Sequence, residues 1–194
     1  LEAFIHAGVE NNARVNVIWV GTEDVRNDKD ADRIFGKMDG ILLLPGFGKR
    51  GSEGKILSCK YARENKIPFL GICLGLQCAV IEFARNVCGL KDANSTEFNK
   101  KTNYPVIDLM ESQRAIKIKG GTMRLGAYDC EVDVGTKAYA AYGKKKISER
   151  HRHRWEVNNR YKDRLEKNGL RISGINLELN LIEIVELTDH PWYV

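Results

Sequence analysis

The sequence has no Cys-x-x-Cys pair, no apolar run near bilayer length and few prolines. Each scarcity closes a class. A membrane-spanning helix needs about 20 consecutive apolar residues, and none of that length occurs. The five cysteines, Cys59, Cys73, Cys78, Cys88 and Cys130, are odd in number. They lack the spacing of a zinc ribbon or a disulfide framework, so no metal site is expected and a reducing, cytoplasmic compartment fits. Acidic residues are scarce in one place. Lys144 to Arg154, KKKISERHRHR, holds six basic residues and one acidic one, which equals the whole net charge of +5. Nucleic-acid binding would show a broader basic face with interleaved aromatics. So local a charge suits a solvated strand, or a pocket for a carboxylate or phosphate.

What is present is enough for one sizeable domain of 194 residues. The opening LEAFIHAG has neither the basic n-region nor the apolar h-region of a signal peptide. It reads as the end of an amphipathic helix that stops at Gly8. RVNVIWV (14–20) reads as a strand, and GILLLPG (40–46) and IPFLGI (67–72) as continuous apolar strands buried on both faces. Helices are expected over DADRIFGKM, EGKILSCKYAREN and LGLQCAVIEFARNV, the last closed by Gly89. The second half alternates: GGTMRLGAYDCEVDV, RISGI and LIEIVEL read as strands, TKAYAAYG and YKDRLEKNG as short helices. The expected fold is α/β, an open, mostly parallel sheet flanked by helices, with an antiparallel addition.

One stretch carries chemistry. Gly71-Ile72-Cys73-Leu74-Gly75 has the form of a nucleophile elbow, with a thiol where the hydrolase pattern has serine. A tight strand-to-helix turn crowds the backbone, so small residues must flank it. The side chain at its tip stands above the carboxyl edge of the sheet, at a helix N-terminus that favours thiolate. The Leu74 amide, with no acceptor inside the helix, is free for an oxyanion. The loop Pro45-Gly46-Phe47-Gly48 follows the other apolar strand and would lie beside the elbow, so the Gly46 amide could complete the hole. Cys59, Cys78 and Cys88 sit in helical patterns and read as core packing.

PGFGKRGSEGKI followed by IPFLGICLGLQ resembles the class I, or triad, glutamine amidotransferases. NSTEF (94–98), GGTMRLG (120–126), ERHRHRWEVNN (149–159) and DHPWYV (189–194) narrow the resemblance to the glutaminase domains of the CTP synthase family. The resemblance covers nearly the whole chain and implies a flavodoxin-like amidotransferase architecture. It implies that Cys73 attacks the side-chain amide of L-glutamine to give a glutamyl thioester and ammonia. It implies oxyanion amides at Gly46 and Leu74, and glutamine contacts at Gly46, Leu74, Gly75, Leu76, Gln77, Glu97 and Arg154. In that family ammonia passes to a synthetase domain that aminates UTP with ATP and Mg2+, GTP is an allosteric activator, and the whole enzyme is a homotetramer. Such a domain needs no cofactor of its own and binds neither nucleic acid nor membrane.

The sequence departs from the family pattern in three places. Pro45 stands where the family has the first of two glycines. The segment between VIDLM and GGTMRLG is short, which bears on GTP activation. The family's base and its orienting acid lie in a His-Pro-Glu motif just after the HPWYV stretch, and no such motif occurs here. Residues 1–194 therefore read as an amidotransferase domain incomplete at both ends, with the motif expected beyond Val194 and the synthetase domain outside this sequence. His190 precedes a proline but matches the family's upstream histidine, and His151 and His153 are expected to shape the strand beside Arg154. The alternative reading is a catalytically inactive amidotransferase-like domain that binds glutamine or regulates. Less fitting alternatives are a γ-glutamyl hydrolase or peptidase on the same architecture, or a basic interaction module.

Overall fold

The computed structural model describes residues 1–109 and 123–194. Two parallel pairs lie toward the first half and a long antiparallel sheet toward the second. β1 (Ile41–Leu43) pairs in parallel with β2 (Phe69–Gly71). Tyr193 bridges Phe69 on the other side of β2, where Val194 donates its amide to the Phe69 carbonyl at 3.1 Å. β3 (Ala93–Ser95) runs parallel to β4 (Tyr104–Leu109), which pairs antiparallel with β7 (Trp155–Val157). The four-stranded sheet has the order β6-β5-β8-β9, from Lys146–His153, Arg124–Val132, Leu170–Asn176 and Leu181–Leu187.

The helices are α1 (Glu2–Glu10), α2 (Asp28–Phe35), α3 (Ser52–Asn65), α4 (Leu74–Asn86), α5 (Lys137–Tyr142) and α6 (Lys162–Lys167). Most of α4 is buried, from Leu74 through Cys78, Ile81 and Ala84. A helix apolar nearly all round belongs in a core. The one charge it buries, Glu82, is fully enclosed and is held by Arg63 of α3 at 2.8 Å and by Asn86 at 3.0 Å. A buried carboxylate persists only when paired in this way. Phe69 stacks on Tyr193 with ring centroids 4.5 Å apart, which carries the core across β2.

Three expectations need correction. The first helix does not stop at Gly8. It runs to Glu10, and Gly8 is buried inside it because a Cβ there would meet the Ala13 carbonyl oxygen at 2.5 Å. Residues 14–20 form no strand: among the described residues no neighbour pairs with them. β1 and β2 are not buried on both faces. Ile41, Leu43 and Phe69 are covered, whereas Leu44, Leu70 and Ile72 are each about two-fifths exposed. Among the described residues, α3 and α4 cover one face of this sheet and leave the other open. The fold is mixed α/β as expected, and the antiparallel addition supplies the larger sheet. GGTMRLG is described only from Met123 onward, and the short segment that bears on GTP, residues 111–119, lies outside the described residues.

Candidate active site

Strand β2 must turn into α4 within three residues, and the glycines permit it. A Cβ on Gly71 would lie 2.8 Å from the Gly75 carbonyl carbon, and one on Gly75 would lie 2.5 Å from the Leu43 carbonyl oxygen. Both obstacles are backbone, so neither can step aside. Between them Cys73 takes φ +60 and ψ −104. A non-glycine residue there is strained, at a cost of about 1–3 kcal/mol, and persists only where the surroundings hold it. The Ile72 amide donates to the Leu43 carbonyl at 3.0 Å, and the Gln77 amide donates to the Cys73 carbonyl at 3.2 Å. These bonds fix the tip of the elbow over β1.

The thiol meets three donors. Two are the backbone amides of Gly46 and Leu74. The third is the imidazole of His153, at the end of β6. Burial pushes the Cys73 thiol up, but the His153 hydrogen bond and charge, with the two amides, hold it below its ordinary value. Burial likewise works against imidazolium, yet the hydrogen bonds to Cys73 and Glu156 raise His153 to about 9. Both directions favour a thiolate–imidazolium pair. The other cysteines behave oppositely: burial lifts Cys59 well above the ordinary thiol value, and Cys78 and Cys130 to about 12.

His153 is oriented from behind. Its Nδ1 lies 3.5 Å from Glu156 Oε2. Glu156 accepts from Arg124 Nε at 3.0 Å, and Arg124 also donates from Nη2 to Glu183 at 3.0 Å. Glu183 is bonded in turn to His151 Nε2 at 2.9 Å. Arg124, Glu156 and Glu183 are almost wholly enclosed, so each charge depends on the next. The basic run is thereby divided by strand alternation. His151 and His153 turn inward to this network, while Arg150 and Arg152 face solvent.

The remaining site residues surround the elbow. Leu74, Gly75, Leu76 and Gln77 form the first turn of α4, and Gln77 Nε2 donates to the Trp155 carbonyl at 2.9 Å. Glu97 follows β3 and accepts the Gly48 amide at 2.8 Å. Burial raises its carboxyl, against the Gly48 bond and the charge of Arg154. Arg154 lies against the Trp155 ring, 5.7 Å from its centroid, between β6 and β7. The structure thus joins Gly46, Cys73 and Leu74 at one point, and links Glu97 to Arg154 electrostatically.

His153 was expected only to shape its strand, yet it is the imidazole that meets Cys73. The sequence did hold one signal, the His-x-x-Glu of His153 and Glu156. His190 lies elsewhere: its Nδ1 accepts the Trp192 amide at 3.2 Å, which leaves Nε2 to donate to the Ala62 carbonyl at 3.0 Å. It is a buried, neutral ring, and burial holds its titration below the ordinary value.

An elbow thiol at the turn from β2 into α4 of a mixed α/β fold has the arrangement of a cysteine nucleophile site. The family model described as glutamine amidotransferase class-I matches residues 1–194, and the chain belongs to that family. It is 60% identical over 193 residues to a CTP synthase of Cytophaga hutchinsonii and 57% identical over 194 residues to one of Christiangramia forsetii. All of this chain is covered in both, but only 36% and 35% of those proteins, so the chain spans about a third of the length of these relatives. A solved structure titled Trypanosoma brucei CTPS, glutaminase domain with bound acivicin, superposes with a TM-score of 0.92 at 36% identity. That likeness covers 99% of this chain and 75% of the other.

Proposed function

We propose that this chain is the glutaminase domain of a CTP synthase. It hydrolyses L-glutamine through a Cys73 thioester and supplies ammonia for the ATP-dependent amination of UTP to CTP. The observation that carries this reading is the Cys73 thiol at φ +60, met by the amides of Gly46 and Leu74 and by His153. The thiolate adds to the side-chain carbonyl of glutamine, and the carbonyl electrons move onto oxygen. The Gly46 and Leu74 amides hold that oxyanion. Collapse expels ammonia, for which the His153 imidazolium is placed to give the proton. Water then frees glutamate and restores the thiol.

Glutamine is oriented by its other end. The half-buried Glu97 carboxylate suits the α-ammonium and Arg154 the α-carboxylate, with Gly75, Leu76 and Gln77 forming the floor. The acivicin bound to the T. brucei glutaminase domain supports a glutamine site at this place in the fold. The length of the relatives supports a synthetase domain in the same polypeptide, where ATP, Mg2+ and UTP belong. The homotetramer and a cytoplasmic location follow from the same assignment, the short segment after VIDLM departs from the pattern that binds the GTP activator, and the domain itself needs no metal. Among the described residues no helix is long and apolar enough to cross a membrane. The test is glutamate release from glutamine by the full polypeptide: Cys73→Ala must abolish it, and turnover that survives this change refutes the reading.

A further inference from the structure

The loop that carries Gly46 has little to hold it. Residues 45–48 belong to no strand, and among the described residues they make no backbone–backbone hydrogen bond. Phe47 is half exposed, with the Arg152 guanidinium 5.6 Å from its ring centre. The fastening lies at Gly48, whose amide donates to Glu97 Oε1 at 2.8 Å across 49 residues of chain. Gly48 has φ +84, a conformation in which a side chain would be strained.

Glu97 is itself a firm anchor. Its amide donates to Ser95 Oγ at 3.1 Å, Ser95 is fully buried, and the Phe98 amide donates to the Ser95 carbonyl at 3.0 Å. The bond from Gly48 to Glu97 therefore ties the loop after β1 to the separate sheet that begins with β3. An ionised carboxylate accepts several donors at once, so holding Gly48 leaves capacity for a second. Two residues upstream of Gly48, Gly46 lies against the elbow, where a Cβ would meet Leu74 Cδ2 at 3.2 Å, and its amide helps hold the Cys73 thiol below its ordinary value.

We infer that Glu97 is a positioning residue for the oxyanion loop, and not solely the contact for the α-ammonium of glutamine. One carboxylate joins recognition of the substrate's amino end to placement of the Gly46 amide. The inference rests on the proposed roles of Cys73, Gly46 and Glu97, and predicts a defect toward substrates that have no amino group at all.

The experiment uses p-nitrophenyl acetate. The Cys73 thiolate forms a carbon–sulfur bond to the acetyl carbonyl, the ester carbon–oxygen bond breaks, and p-nitrophenolate leaves as a visible burst. The step needs the oxyanion amides but no α-ammonium site. Glu97→Ala is expected to slow the Cys73-dependent burst by about tenfold or more, since a misplaced oxyanion donor is that costly. Glu97→Gln keeps an oxygen able to accept from Gly48 and is expected to recover most of that loss. Both variants lose glutamine turnover. A burst from Glu97→Ala at the unaltered rate overturns the inference, leaving Glu97 an ammonium contact alone. A Glu97→Gln burst as slow as that of Glu97→Ala also overturns it, because charge and not the hydrogen bond would then matter. If the unaltered protein gives no more burst than Cys73→Ser, the nucleophile reading falls together with the inference. Thermal melting checks each fold. Should Glu97→Ala fail to fold, Glu97→Asp, whose carboxylate is drawn back by one methylene, must show the same slow burst or the inference fails.

Discussion

Replacing Glu183 by glutamine keeps its shape and removes its charge. Glu183 is almost wholly enclosed and receives both Arg124 and His151. Burial alone would raise its carboxyl, but the bonds from His151 and Arg124 bring it from 4.5 down to about 2. That difference corresponds to about 3 kcal/mol of stability at neutral pH. The folded value is depressed, so the contribution is complete above the unfolded value near 4.5 and is lost as pH falls toward 2. Urea unfolding of the unaltered and Glu183→Gln proteins is therefore expected to differ by about 3 kcal/mol at pH 7, narrowing to roughly half near pH 3. A gap independent of pH, or one below about 1 kcal/mol at pH 7, would show that Arg124 and His151 do not hold this carboxylate.

Three further outcomes follow from the geometry. Gly75→Ala drives a Cβ against the Leu43 carbonyl oxygen; it should cost about 1–3 kcal/mol in urea unfolding and lower glutamine turnover, and an unchanged melt would contradict the crowding. Glu82→Ala leaves Arg63 without its buried partner and should cost about 3–5 kcal/mol, whereas a loss under about 1 kcal/mol would show that the pair is solvated. His153→Gln removes the cation at the thiol, so the inflection of Cys73 alkylation by iodoacetamide should move to higher pH; an unmoved inflection would remove His153 from the site.

The parts of this molecule fixed by neighbours in sequence were legible before the structure. The elbow was one, because glycine on both sides of a cysteine after an apolar run answers to local crowding. Helix α4 was another, its apolar period and closing glycine being local. Parts fixed by distant partners were not legible. Residues 14–20 have the composition of a strand, but a strand is made by a partner, and none among the described residues reaches them. Gly8 looked like a helix end because glycine is common there, while a close approach of Ala13 decides its place. The continuous apolar character of β1 and β2 suggested cover on both faces, which depends on what packs there. His153 looked like one basic residue in a charged run. Only the pairing of β5 with β6, which sets His153 opposite Arg124, turns it toward Glu156 and the thiol. The resemblance to amidotransferases proposed site residues without that geometry, and it did not distinguish His153 from its neighbours.

The central claim is that Cys73, alone among the five cysteines, is the nucleophile toward glutamine. The most direct measurement is peptide mapping by mass spectrometry after brief treatment with acivicin at neutral pH, with and without excess glutamine. The account predicts one adduct, on the peptide containing Cys73, suppressed by glutamine and absent from Cys73→Ser. An adduct on Cys59, Cys78, Cys88 or Cys130, or labelling of Cys73 that glutamine does not slow, would contradict it.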